Sequence, residues 1–204
     1  MSMLLGGISL LAGDAEGNVT QLFPVRDADN AYSLKIIRQF AGHQAAVIRI
    51  IPEQRRKGFL TVDADGNLGI FQSTSGRQVL MQKLTGGPPL AMALAPRASG
   101  LLLLNGDGQA EFMDIDNEHP EVSLSSLWSR VWYENYAEPE YVWQSSASSN
   151  DFEPKFSLTP LVFGTFKAAL YAMLFALPLA LAGAAFTAYF MSPALRRMVK
   201  PTIE

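Results

Sequence analysis

The chain has 204 residues, 16 Lys+Arg against 19 Asp+Glu, a formal net charge of −3, and no cysteine. That balance excludes a general nucleic-acid binder, which needs a basic face, and the missing thiols exclude disulfides and thiolate metal sites. Charged residues make up 17%, below the roughly 25% usual for soluble domains, because two populations are mixed: a soluble-looking stretch to residue 158 and a nearly uncharged one over 159–191.

In chain order, residues 1–124 read as a mainly β domain built on an internal repeat. Leu4-Leu5-Gly6-Gly7-Ile8 is too short to cross a membrane. Three segments then share an apolar run, an acidic Gly turn and a second apolar run: 8–23, 58–71 and 100–113. Their turn glycines, Gly17, Gly66 and Gly108, lie 49 and 42 residues apart. Glycine accepts a positive φ without steric cost, so Glu-Gly or Asp-Gly between apolar runs predicts a hairpin. A period of 40–50 residues predicts partial β-propeller blades of the WD-repeat kind. The middle unit is fullest. Gly42-His43 opens it, Ala46–Ile51 and Arg77–Met81 read as its outer strands, and Phe71-Gln72 stands where a Trp-Asp pair would close it. Two to three blades are fewer than the four a closed ring needs, so the expectation is a fragment.

Local chemistry in this part is sparse. Asp63-Ala64-Asp65-Gly66-Asn67 begins like a calcium loop, but Leu68 and Thr74 stand where the loop needs Gly and Glu, so plain hairpin turns are expected. His43 reads as a structural, blade-opening residue, and Arg55-Arg56-Lys57 as a solvated basic tip between strands. No catalytic constellation and no cofactor motif emerges, and the expectation is a non-enzyme without cofactor or metal.

Residues 125–158 read as an aromatic-rich linker. All three tryptophans, Trp128, Trp132 and Trp143, lie here. Leu127, Trp128, Val131 and Trp132 predict a short helix capped by Ser125 or Ser126 and stopped near Pro139. Trp128, Trp132, Tyr133, Tyr136 and Trp143 are candidates for a membrane-interface belt, the alternative being aromatics packed on the flank of the β domain. Residues 145–151 read as an exposed polar loop.

Residues 159–191 predict a transmembrane helix. Ala168 to Met191 is a run of 24 residues without a charge. As a helix it would reach ~36 Å, against a hydrocarbon core of ~30 Å. Thr159-Pro160 starts it, Pro178 should kink it, and Gly183 in Gly183-Ala184-Ala185 offers a small face for packing on another helix. Lys167 is expected to snorkel to the interface, with Thr165 and Lys167 as secondary candidates for a translocation path. Arg196, Arg197 and Lys200 in the segment 192–204 outnumber the bases on the other flank, which places the C-terminal end in the cytoplasm and residues 1–158 in the periplasm.

Several motifs after residue 128 resemble the PstC-like permease subunits of bacterial phosphate ABC transporters. They are Val131-Trp132-Tyr133-Glu134, Tyr141-Val142-Trp143-Gln144-Ser145-Ser146, Asp151-Phe152-Glu153-Pro154-Lys155-Phe156-Ser157-Leu158, Pro160-Leu161-Val162-Phe163-Gly164-Thr165 and Arg196-Arg197-Met198-Val199-Lys200-Pro201-Thr202-Ile203-Glu204. The first resembles the subgroup with a large periplasmic insertion; the last two resemble the opening of the transport core. The resemblance implies a fragment of an inner-membrane importer of inorganic phosphate. Its partners would be a second permease subunit, cytoplasmic ATPase subunits and a periplasmic phosphate-binding protein, with membrane lipid around the helix. The repeat domain would be an accessory binding or docking module. A membrane-anchored β-propeller sensor or interaction scaffold is the alternative.

Overall fold

The computed structural model describes residues 1–149, 152–195 and 197. The chain divides into two compact units, Met1–Thr159 and Pro160–Glu204.

The first unit is mainly β. Strands β1 (Ser2–Met3), β2 (Leu10–Gly13), β3 (Val19–Arg26) and β4 (Tyr32–Phe40) form one antiparallel meander in the order β1-β2-β3-β4. Strands β5 (Val47–Pro52), β6 (Gly58–Asp63), β7 (Asn67–Gln72) and β8 (Arg77–Lys83) form a second, in the order β5-β6-β7-β8. Strands β9 (Ala91–Leu94), β10 (Gly100–Leu104) and β11 (Ala110–Asp114) form a three-stranded third sheet. These are three blade-like units of a partial β-propeller. The repeat read from the glycines is the β2–β3, β6–β7 and β10–β11 hairpins, with Gly17, Gly66 and Gly108 at φ +90°, +82° and +82°.

Each hairpin is locked by its own turn chemistry. Asp14 Oδ1 accepts hydrogen bonds from the backbone N–H groups of Glu16 and Asn18, and Asp63 Oδ1 accepts them from Asp65 and Asn67. Asp63 Oδ2 accepts further hydrogen bonds from Asn67 Nδ2 (2.8 Å) and the His43 ring (Nδ1, 2.9 Å). Both oxygens of the candidate calcium ligand are therefore taken up, Oδ1 by an Asx turn and Oδ2 by Asn67 and His43. Among the described residues no group of three or more His, Cys, Asp or Glu is placed to hold a metal ion.

The core lies between blades rather than within them. Leu4, Leu11, Val19, Phe40, Phe59 and Phe71 join the first blade to the second, with Phe59 and Phe71 stacked at 5.4 Å between centroids. Leu60, Val62, Leu68, Ile70, Leu101 and Leu103 join the second blade to the third. The second blade is thus covered on both faces, and every residue of β6 is buried. Covering both faces explains why its inner strands read as continuous apolar runs instead of alternating.

Residues 125–158, expected as a separate linker, belong to this same unit. Helix α1 (Leu124–Trp128) is five residues long, shorter than the sequence predicts. Its cap is Ser123, not Ser125 or Ser126: Ser123 Oγ accepts from Ser126 N, and Ser126 Oγ accepts from Ser123 N. Ser129 turns extended, and β-branched Val131 pairs with Glu140 in an isolated bridge, which competes with continuing the helix. Strands β12 (Trp143–Gln144) and β13 (Lys155–Phe156) form a two-stranded ribbon that closes the segment.

The second unit is helix α2 (Thr159–Ala185), continued by a π-helical turn, Phe186–Phe190, where Met191 N–H bonds to Phe186 O. The helix runs through Pro178 without a break in its assignment.

Candidate functional site

Two features of the chain stand apart from the blade hairpins: a charged seam that fastens residues 125–158 to the blades, and the uncovered apolar helix.

The seam starts from Lys57. Of the basic tip expected to be solvated, Arg55 is exposed and Arg56 half-buried, but Lys57 is 2% exposed. Its ammonium donates to Glu134 Oε2 at 2.6 Å and to the Leu5 carbonyl. Ser9 Oγ donates to Glu134 Oε1 at 2.6 Å and accepts from Gln21 Nε2 at 2.9 Å. Arg38 bonds Gln21 Oε1 and the Trp132 carbonyl. Glu153 extends the seam: Oε1 accepts from Thr74 Oγ1 at 2.6 Å and Oε2 from the Glu134 N–H at 3.0 Å. Arg56 leaves the tip as well, pairing with Glu53 and donating to the Asn117 carbonyl. Burial, reinforced by the neighbouring Glu134 charge, pushes the Glu153 carboxyl above the usual range.

The aromatic residues pack around this seam. Trp132 lies edge-on to Phe23 at 6.2 Å and donates from Nε1 to the Tyr136 carbonyl. Tyr133 is 1% exposed, and burial with the nearby Glu153 charge pushes its phenol up to about 12. The Lys155 ammonium stands over the rings of Phe152, Tyr133 and Tyr136 at 4.9, 5.5 and 5.8 Å. Trp132, Tyr133 and Tyr136 therefore pack on protein, the alternative weighed for the aromatic belt. Trp128 and Trp143 remain 51% and 42% exposed, Trp143 resting against Phe156. The sequence held one signal of this docking: Glu134, Glu153 and Lys155 lie among aromatics where a membrane belt has no use for carboxylates.

His43 does what a blade-opening histidine should. Its ring bridges Asp63 (2.9 Å) and Thr61 Oγ1 (2.6 Å) in the buried interior of the second blade. Gly69 is needed there, because a Cβ would lie 2.8 Å from Thr61 Oγ1 and 3.0 Å from His43 Nε2.

The segment Thr159–Phe190 is long and apolar enough to span a membrane, and none of its residues is buried. Thr165 Oγ1 donates to the Leu161 carbonyl of the preceding turn, and Thr187 Oγ1 to that of Gly183. Lys167 lies over the Tyr171 ring at 5.7 Å, its charge turned onto the helix surface. Both translocation-path candidates are thus bonded within their own helix. Gly183 leaves open space beside the helix: a Cβ there meets nothing within 4 Å. Of the basic residues expected on the cytoplasmic side, Arg197 is described; Arg196 and Lys200 lie outside the described residues.

No family model matches the chain. No curated protein matches it. Among solved structures, a chain in a crystal structure of the mitotic checkpoint complex is similar, with 17% identity over 55% of this chain and a TM-score of 0.44. The match covers 32% of that chain, so the present sequence spans about a third of its length.

Proposed function

We propose that this chain is the membrane-entry portion of an ABC-type permease subunit for inorganic phosphate, carrying its blades as a periplasmic docking module. The observation that carries the reading is the helix Thr159–Phe190: apolar all round, uncovered, and following directly on a fully folded β unit. A helix apolar on every side is either a core helix or a membrane span, and this one has no core around it. Pro178 and the small Gly183 face favour a helix that meets neighbouring helices over a lone anchor. The phosphate assignment is supported by the resemblance of the motifs between Val131 and Thr165, and the orientation by Arg196, Arg197 and Lys200.

In this reading the chain hydrolyses nothing. Its helix contributes to a bundle with a second permease subunit, cytoplasmic ATPase subunits drive that bundle, and the blades receive a phosphate-binding protein. The test is co-purification of the tagged full chain, in mild detergent, from bacteria grown under phosphate limitation. Recovery of the phosphate importer's second permease and ATPase subunits is expected. Their absence, with the chain still in the membrane fraction, would leave the single-anchor scaffold as the correct reading. Labelling a cysteine placed at Arg197 only after the membrane is permeabilised checks the orientation.

A further inference from the structure

The part of the β unit from which the chain enters α2 is apolar and open. The Leu158 N–H donates to the Leu127 carbonyl at 2.8 Å, and the Ser157 N–H to the Val142 carbonyl at 3.0 Å. Those two bonds tie the last residues of the unit to α1 and to the start of β12. Trp128 and Trp143 each follow one of the two acceptors directly in the chain. They are 51% and 42% exposed, and Leu124 and Tyr141 of the same two elements' surroundings are 80% and 40% exposed. Trp132, Tyr133 and Tyr136 are turned onto protein instead. The aromatics of this segment thus divide into a packed set and an open set, and the open set is the one next to the exit.

Helix length sets the depth of that exit. The apolar segment Thr159–Phe190 has 32 residues and reaches ~48 Å as a helix. At the usual tilt of ~20° it still covers ~45 Å. A bilayer measures about 40–45 Å with both headgroup layers and ~30 Å without them. The segment therefore fills the headgroup layers as well as the core, which puts Thr159, and with it Leu158, at headgroup level. Tryptophan and tyrosine suit that level, with an apolar ring toward the acyl chains and a polar atom toward water. We propose that Leu124, Trp128, Tyr141 and Trp143 form a docking face for the headgroup layer, a second lipid contact beyond the helix. Arg130 stands over the Tyr141 ring at 5.5 Å, but Glu138 and Glu140 are exposed on the same stretch. Charge therefore does not draw this face to anionic lipid; the rings carry the contact, and zwitterionic lipid satisfies it. The buried Lys57–Glu134 pair fastens this segment to the blades, so the face anchors the β unit at the bilayer surface. The proposal rests on α2 spanning the membrane and stands apart from any phosphate role.

The test uses the full chain reconstituted in phosphatidylcholine vesicles whose acyl chains carry bromine, a tryptophan quencher, either next to the ester or near the methyl end. The apolar helix has no tryptophan, so emission reports on positions 128, 132 and 143 alone. Wild-type emission is expected to fall with the ester-proximal bromine and to fall less with the distal one. Trp128→Phe and Trp143→Phe should each remove part of that loss. The double variant, which keeps Trp132 against Phe23, should abolish it. Both replaced side chains are exposed, so the fold is spared. If the chain integrates into the vesicles and bromine leaves wild-type emission unchanged, the open rings face water or protein, and the proposal fails while α2 remains a span. A double variant quenched as strongly as wild type, or a loss greatest with the distal bromine, also overturns it. A chain that stays out of the vesicles altogether overturns the span and the docking face together.

Discussion

Lys57→Met tests whether residues 125–158 are fastened to the blades. The side chains of Lys57 and Glu134 are 2% and 6% exposed, so removing the ammonium strands a carboxylate whose remaining side-chain donor is Ser9. Breaking one side of a buried ion pair costs about 3–5 kcal/mol, far more than the ~0–1 kcal/mol of a surface pair. For a unit of this size each kcal/mol moves Tm by about 2–4 °C, so a fall of about 6–20 °C is expected. Adding Glu134→Gln should restore at least ~2 kcal/mol, because a neutral amide still bonds Ser9 and leaves no buried charge. The assay is denaturant unfolding of the full chain in mild detergent, followed by tryptophan emission. All three tryptophans lie at positions 128–143, so emission reports on this segment. A single-variant loss below ~1 kcal/mol, or a double variant no better than the single, would refute the buried seam.

Glu153→Gln probes the same seam through pH. Burial raises the Glu153 carboxyl, so the folded state holds that proton more tightly than the unfolded chain. Its contribution is fully present below the ordinary value of 4.5 and is lost as pH rises through the raised value. The amide variant should therefore show a flatter stability profile above pH 4.5 and gain on wild type at neutral pH. Asp63→Asn should act oppositely. Burial there opposes ionisation, but hydrogen bonds from Asn67 and His43 outweigh it and hold the carboxyl below 3.8. Wild-type stability from this group is present above 3.8 and lost as pH falls through the lower folded value, and the variant should lack that acid-side loss. Gly17→Ala should cost about 2 kcal/mol or more in a melting experiment, since its φ is +90° and a Cβ would lie 2.5 Å from the His43 carbonyl oxygen. Gly76→Ala, at φ +64° with nothing within 4 Å, should cost about half as much or less. Leu177→Arg at mid-span should shift the chain out of the carbonate-resistant membrane fraction, at about 2.5–3.5 kcal/mol of insertion energy; an unchanged fraction would count against a spanning α2.

The blade hairpins were legible because their signal is local. An Asp or Asn three residues ahead of a Gly builds the turn from its own side chain, as Asp14 and Asp63 do. Helix α2 was legible from composition alone. The seam was not, since Lys57 and Glu134 are 77 residues apart and no periodicity links them. A basic triplet in a turn reads as solvated until the carboxylate opposite is known. The same holds for Trp132 and Tyr133: aromatics beside a hydrophobic run look alike whether lipid or Phe23 receives them. The short helix expected over Leu127–Trp132 ended early for a different reason, because the pairing of Val131 with Glu140 outcompeted a helical periodicity of only four residues.

The wide separation of the seam's partners has a consequence during biosynthesis. Ser9 and Lys57 leave the ribosome well before Glu134 exists. At about 5–20 residues per second the 77-residue gap lasts roughly 4–15 s. Through that interval the nascent blades hold an orphan cation they can neither bury nor neutralise, so their final closure waits for the segment whose synthesis immediately precedes α2. Maturation of the β unit and delivery of the apolar helix thereby fall into one time window, ordered by where a single glutamate sits in the chain.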